Sequence, residues 1–104
     1  MAGTQMIAIN PIASPTPSQT AEFVPQNQTA AVGDIVFWQN NDETSAHQPK
    51  PTNGADDDWT DPIPKKLPGQ PAPTSLRNPT FGEAGTYDYV CALHPGETGS
   101  VIVG

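Results

Sequence analysis

Prolines are spread along almost the whole chain, and they constrain its fold more than any other residue type. There are 13 of them among 104 residues. A proline inside a helix removes a backbone N–H and costs about 3 kcal/mol. The sequence therefore argues against a helical protein and favours short strands that are separated by turns rich in Gly and Pro.

Several short segments have the residue pattern of β-strands. Ile35–Trp38 is an apolar run between a Gly-Asp turn and a polar stretch, which is typical of a core strand. Thr86–Cys91 alternates, so that Tyr87, Tyr89 and Cys91 share one face. Weaker candidates are Gln5–Asn10, Gln28–Val32, Ser100–Val103 and Ser75–Phe81, the last restricted to a sheet edge by its proline. The pattern predicts an all-β sandwich of about seven to eight strands.

The length of the chain fits one domain that covers residues 1–104. Residues 1–4 are predicted to be a flexible tail or one added for expression, and Pro11–Ser18 is predicted to be a loop. Residues 48–74 are rich in proline and are interpreted as a long surface connection. Because long loops without internal structure are uncommon, part of this segment is expected to pack through Trp59 or to form a short edge strand.

The charge of the chain excludes some classes of function. Its formal net charge is −7, so a phosphate backbone would repel it, and nucleic-acid binding is not expected. No run approaches the roughly 20 apolar residues that span a bilayer, so membrane insertion is not expected either. No basic and apolar leader follows Met1, which predicts either a cytosolic protein or a mature form with an added start Met.

The scarcest residues carry the chemical signal. One cysteine, Cys91, excludes an internal disulfide, and the only histidines are His47 and His94. Cys91 and His94 lie three residues apart in the turn after a predicted strand, while His47 follows the other confident strand. Alone, the cysteine is most simply a buried apolar residue and each histidine a surface residue. Together, a thiolate and two imidazoles suit copper and leave both Cu(I) and Cu(II) accessible.

Two longer motifs resemble the cupredoxins, the small blue-copper proteins of the plastocyanin and amicyanin type. The first is Phe23-Val24-Pro25, then Val32-Gly33-Asp34-Ile35-Val36-Phe37-Trp38-Gln39-Asn40-Asn41, then His47. The second is Gly85-Thr86-Tyr87-Asp88-Tyr89-Val90-Cys91-Ala92-Leu93-His94-Pro95-Gly96. The resemblance implies a Greek-key sandwich with one type 1 copper ion, held by His47, Cys91 and His94. It also implies that the backbone N–H of Gln48 donates to the cysteine sulfur.

The fourth, axial ligand departs from the family pattern. The family's axial Met would stand three or five residues after His94, where this chain has Glu97 and Gly99. Three alternatives remain open: Glu97 binds the metal, the position is open to water or a small ligand, or another group such as Met6 binds. A carboxylate is a hard ligand, which would favour Cu(II) over Cu(I) and lower the reduction potential.

The leading hypothesis for the function is a one-electron carrier between redox partner proteins rather than an enzyme. A second hypothesis is an open-site cupredoxin that binds, oxidises or reduces a small molecule such as nitric oxide. A third is a copper-binding or copper-delivery protein without a redox role. The family resemblance implies a periplasmic or extracellular location.

Overall fold

Two β-sheets, of three and four strands, pack face to face. The computed structural model describes residues 3–52 and 59–104. Its strands are β1 Thr4–Thr16, β2 Gln19–Val24, β3 Asn27–Ala30, β4 Ile35–Asn40, β5 Pro49–Pro51, β6 Gly85–Cys91 and β7 His94–Val103. The predicted all-β fold with about seven strands is confirmed. Within these ranges, no helix has the length and apolar character needed to cross a membrane.

Both sheets mix parallel and antiparallel pairs. The first has the order β2-β1-β4, with β1 antiparallel to β2 and parallel to β4. The second has the order β3-β7-β6-β5, with only β3 and β7 parallel. β7 also lies against β2 across the sandwich, and this contact brings the end of the β6–β7 hairpin onto the first sheet.

The N-terminal region is more regular than the sequence indicates. β1 begins at Thr4 and runs on to Thr16, so Thr4 belongs to a strand and the predicted loop at Pro11–Ser18 is wrong over most of its length. Positions 1–2 lie outside the described residues. β4 pairs with β1 only as far as Ile9. Beyond that point β1 has one unpaired edge, and prolines are tolerated there because no ladder hydrogen bond is lost.

The proline-rich segment covers the site end of the first sheet rather than forming a bare loop. Its start forms β5, which among the described residues is an edge strand that pairs with β6 alone. Trp59 stacks on Trp38 with ring centroids 5.9 Å apart. Both expectations for this segment are therefore confirmed, while positions 53–58 lie outside the described residues.

Ser75–Phe81 is not a strand, because Pro73 and Pro79 reduce its pairing with β4 to bridges at Thr74 and Thr80.

The core lies between the two sheets and follows the alternation of the strands. On β4, Val36 and Trp38 point inward, and on β6 Tyr89 and Cys91 do so. Trp38 and Phe23 both contact the Tyr89 ring edge-on, with centroids 5.5 and 4.8 Å away. These aromatic side chains pack between the two sheets together with aliphatic residues such as Ile7 and Val101. The core continues directly into the site, because Cys91 belongs to both.

Asp34 fixes the turn before β4 to the start of β1. Its carboxylate accepts the N–H groups of Gly3 and Ala31 at 2.7 and 2.9 Å and the amide of Gln5 at 3.2 Å. The hydrogen bond from Ala31, followed by those from Gly3 and Gln5, lowers the pKa of Asp34 from its ordinary value. The ionised carboxylate therefore stabilises the fold above about pH 4.

We expect Asp34→Asn to lower the free energy of unfolding at pH 7. The asparagine NH2 group cannot accept the hydrogen bonds that one carboxylate oxygen of Asp34 now accepts. The difference from wild type should shrink as the pH falls through the lowered pKa, because wild-type Asp34 then also becomes neutral. Denaturant unfolding from pH 7 to pH 3 measures this. Glu22→Gln, at an exposed acid on β2, is the matched control. Parallel wild-type and variant curves across this range would contradict the role of Asp34.

Gly99 lets β7 pass close to the core aromatic Tyr89. A Cβ at this position would lie 2.5 Å from the tyrosine ring and 3.0 Å from the carbonyl oxygen of Gln26. Gly99→Ala should therefore destabilise the protein by about 1–3 kcal/mol through overpacking. Gly82→Ala is the control, because no atom lies within 4 Å of its added Cβ. Equal melting temperatures for the two variants would show that Tyr89 moves aside freely.

Candidate metal centre

Two strand ends, one segment between strands and one strand interior position the candidate ligands. Cys91 ends β6 and His94 begins β7, with only Ala92 and Leu93 in the turn between them. His47 lies between β4 and β5, and its backbone is held by two hydrogen bonds with Ile63, of 3.1 and 2.8 Å. Glu97 lies in β7, three residues after His94. The fold thus brings all four residues singled out in the sequence to one end of the sandwich.

The four side chains turn one donor atom each towards a common centre. These donor atoms, from His47, Cys91, His94 and Glu97, all lie within 4.8 Å of one another. Cys91 Sγ is 3.8 Å from His47 Nδ1 and 3.5 Å from His94 Nδ1. Glu97 Oε1 is 2.7 Å from His47 Nδ1 and 3.3 Å from His94 Nδ1.

These separations fit a bound metal ion of the first transition series. Ligands at ordinary metal–nitrogen and metal–sulfur distances around one ion stand about 3.3–3.8 Å apart. The distances from Cys91 Sγ to both imidazoles fall in this range, as does the distance from Glu97 Oε1 to His94. His47 Nδ1 and Glu97 Oε1 are closer, at 2.7 Å, which is a hydrogen-bond distance. A proton on Nδ1 therefore fits between these two atoms as well as a metal ion would.

Glu97 is held in place by the backbone of β2. Its Oε2 atom accepts the N–H groups of Thr20 and Ala21 at 2.8 and 3.0 Å. This leaves Oε1 facing the two imidazoles. The side chain is only 1% exposed, so it points inward rather than to solvent. Met6, the remote alternative, is 44% exposed on β1, on the face opposite to the buried Ile7.

A second buried carboxylate, Asp42, contacts the far side of His47. Its Oδ2 atom lies 2.9 Å from His47 Nε2, and both side chains are fully buried. In the sequence, Asp42 belongs to the polar stretch Asn40-Asn41-Asp42 that follows the core strand. An aspartate five residues before a candidate ligand histidine is the only signal that could have indicated this contact, and it is a weak one.

Charge balance in this cluster depends on the two carboxylates. Burial lowers the pKa of His47, but hydrogen bonds to Cys91, Glu97 and Asp42 outweigh it and raise that pKa to about 10. Burial raises the pKa of Glu97, yet the hydrogen bonds from His47 and from the Thr20 N–H lower it overall. The pKa of Asp42 is lowered in the same way, against burial, by Thr44 and His47. The two carboxylates therefore favour a positive charge on the imidazole that lies between them.

Backbone hydrogen bonds join the two ligand-bearing loops. The N–H of Gln48 points at Cys91 Sγ at 3.4 Å, as the family resemblance implied. The N–H of Ala92 donates to the carbonyl of Gln48 at 2.8 Å. Both bonds use only main-chain groups on the Gln48 side, so its side chain is free to contact the carbonyl of Thr60 instead. The spacing between Cys91 and His47 is thus fixed by the backbone.

Solved structures similar to this chain share one fold. A purple cupredoxin from Nitrosopumilus maritimus superposes with a TM-score of 0.72 at 23% identity, over 95% of this chain and 98% of that one. Amicyanin from Paracoccus versutus gives 0.67 at 25% identity, over 95% and 79%. An amicyanin variant in its reduced Cu(I) form gives 0.61 at 26%, over 95% and 82%.

The chain has the cupredoxin fold. This confirms the resemblance inferred from the two sequence motifs. No protein-family model matches the sequence, and a search of curated proteins found no match. The buried carboxylate of Glu97 belongs to the residue that stands, in the sequence, at the position where the family resemblance places the axial methionine.

Proposed function

We propose that His47, Cys91, His94 and Glu97 bind one copper ion and that the protein carries single electrons between redox partner proteins. The observation that supports this most is the convergence of one thiol sulfur, two imidazole Nδ1 atoms and one carboxylate oxygen within 4.8 Å. Copper supplies the one-electron couple, and a thiolate with imidazoles keeps both of its oxidation states accessible. The protein's part is to hold these four groups still.

The rigidity of the ligand set supports a carrier. A site that changes little between oxidation states exchanges electrons with little rearrangement. Here Cys91 is held by the N–H of Gln48, His47 by Ile63 and Asp42, and Glu97 by Thr20 and Ala21. Each of these three ligands therefore has a partner that would remain in place when the charge of the metal changes.

Electrons would enter and leave at the edge of His94. Its side chain is 12% exposed, whereas those of His47 and Glu97 are buried. Leu93, which precedes it in the turn, is 49% exposed. This half-exposed apolar side chain beside the ligand offers a contact surface for a redox partner protein. We further propose that residues 1–104 act as one domain, in the periplasm or outside the cell.

The copper proposal is tested by Cys91→Ser. Because thiolate-to-copper charge transfer gives such sites their colour, the copper-loaded variant should lose the intense visible band of the wild type. Cys91 is only 1% exposed, so the serine variant must be shown to fold by circular dichroism. A variant that is folded and still intensely coloured would overturn the thiolate ligand.

The carrier and the small-molecule alternative are separated by ligand addition. With Glu97 Oε1 already directed at the centre, azide, nitrite and nitric oxide should leave the spectrum of the oxidised protein unchanged. Reversible voltammetry should then give one electron per copper. A spectrum that changes on adding these ligands would favour the open site, and a Cu(I) form that resists reversible oxidation would favour copper delivery.

Glu97→Gln should raise the reduction potential of the bound copper. The glutamine retains an oxygen for the N–H groups of Thr20 and Ala21, but it places a neutral NH2 group towards the metal. Cu(II) loses more stabilisation than Cu(I), and each tenfold loss relative to Cu(I) corresponds to about 59 mV. Glu97→Met should raise the potential as well and move the spectrum towards ordinary blue copper.

Voltammetry of both Glu97 variants beside Glu22→Gln separates ligation from a general loss of negative charge. Met removes the acceptor for two N–H groups, at a cost of about 1–3 kcal/mol each if they stay buried. Unfolding of the metal-free proteins should therefore show a larger loss for Met than for Gln. If neither variant shifts the potential more than the Glu22 control, Glu97 does not bind copper.

A further inference from the structure

Asp42 is a fully buried carboxylate that accepts hydrogen bonds from Thr20 and Thr44 and faces His47. Its Oδ1 atom accepts the N–H and the hydroxyl of Thr44, at 2.9 and 2.6 Å. Its Oδ2 atom accepts the hydroxyl of Thr20 at 3.0 Å and faces His47 Nε2 at 2.9 Å. An ionised carboxylate can only accept, so the Nε2 atom of His47 must carry a hydrogen.

The turn that carries Asp42 is fixed independently of His47. Asn40 accepts the N–H of Asp42 at 2.9 Å through its side-chain oxygen. The Asn40 amide nitrogen donates to the carbonyls of Ser45, Ile63 and Pro64. The Asp42 carbonyl accepts the N–H of Lys66 at 3.0 Å. The backbone hydrogen bonds of this turn and the side chain of Asn40 therefore fix the position of the Asp42 carboxylate. Its contact with the imidazole is not needed to hold it there.

We infer that Asp42 is a positioning residue that fixes the Nε2–H form of His47 and so reserves Nδ1 for the metal. This inference rests on the proposed copper site. A hydrogen-bonded carboxylate on the far nitrogen of a ligand histidine fixes the orientation of the ring and raises its strength as a donor. Because the added electron density stabilises Cu(II) more than Cu(I), Asp42 also lowers the reduction potential.

Thr20 links this residue to the fourth ligand. Its hydroxyl lies 3.0 Å from Asp42 Oδ2 and 3.3 Å from Glu97 Oε2, while its N–H donates to Glu97 Oε2. One threonine on β2 therefore holds the carboxylates on both sides of the His47 ring. Removing Asp42 should disturb His47 directly, whereas Glu97 keeps its backbone donors.

The test is the affinity of Asp42→Asn for Cu(II) and Cu(I), measured by competition with chelators, together with its reduction potential. The loss of Cu(II) affinity should be about 10–100-fold, as for other partners of ligand histidines. The loss for Cu(I) should be smaller. If Cu(I) affinity were unchanged, a tenfold loss for Cu(II) would raise the potential by about 59 mV.

Glu43→Gln is the matched control. It removes the same charge at the next residue, but this side chain is 51% exposed and pairs only loosely with Lys66 at 3.5 Å. Equal affinities and potentials for the two variants would overturn the positioning role of Asp42. The copper proposal itself would fail if the copper-loaded wild type showed no intense visible band, or if that band persisted in Cys91→Ser. The two failures are therefore distinguishable.

A second measurement does not depend on the folding of Asp42→Asn. In the diamagnetic Cu(I) form of the wild type, two-bond proton–nitrogen NMR spectra report which ring nitrogen of His47 carries the hydrogen. We expect a protonated Nε2 and a metal-bound Nδ1. A protonated Nδ1 with metal on Nε2 would overturn the inference, whatever the variant does.

Discussion

A buried glutamate joins the two sheets at the end of the molecule where the candidate ligands meet. Glu97 belongs to β7 of the second sheet, while its Oε2 atom is held by the N–H groups of Thr20 and Ala21 on β2 of the first. The neighbouring N–H of Gly96 also donates to the carbonyl of Ser18. A buried ionised carboxylate costs several kcal/mol unless it is fully paired. The close contact of β7 with β2 meets that requirement, and it orients Oε1 towards the two imidazoles.

The sequence was sufficient for the fold class and for three members of the cluster, because these depend on local signals. Cys91 and His94 flank the two-residue turn of one hairpin, so local pairing places them together. His47 follows β4, whose first four residues, Ile35-Val36-Phe37-Trp38, are all apolar. The direction of Glu97 could not be derived in this way. It depends on donors that lie 76 and 77 positions earlier in the chain, and only the packing of the sheets brings them together.

Asp42 and the extended β1 strand escaped prediction for a related reason. Aspartate after two asparagines is ordinary turn chemistry, and nothing local distinguishes an aspartate that faces solvent from one buried against an imidazole. Prolines at 11 and 15 indicate a loop when the chain is considered alone. They are compatible with a strand because β4 stops pairing at Ile9, which is a property of the assembled sheet. Both cases show contacts between distant segments overriding local preference.

The donor set of the centre also determines which ion it favours. Asp42 and Glu97 both accept backbone N–H groups, which favours their ionised forms, and in the proposed site the thiolate of Cys91 would add a third negative charge. In the proposed site, a divalent ion leaves one uncompensated negative charge, whereas a monovalent ion leaves two. Since an uncompensated charge is costly where water is excluded, the buried centre favours Cu(II) over Cu(I). A neutral methionine in place of Glu97 would reduce that preference, so in the proposed copper site the buried carboxylates would influence the potential as well as the geometry.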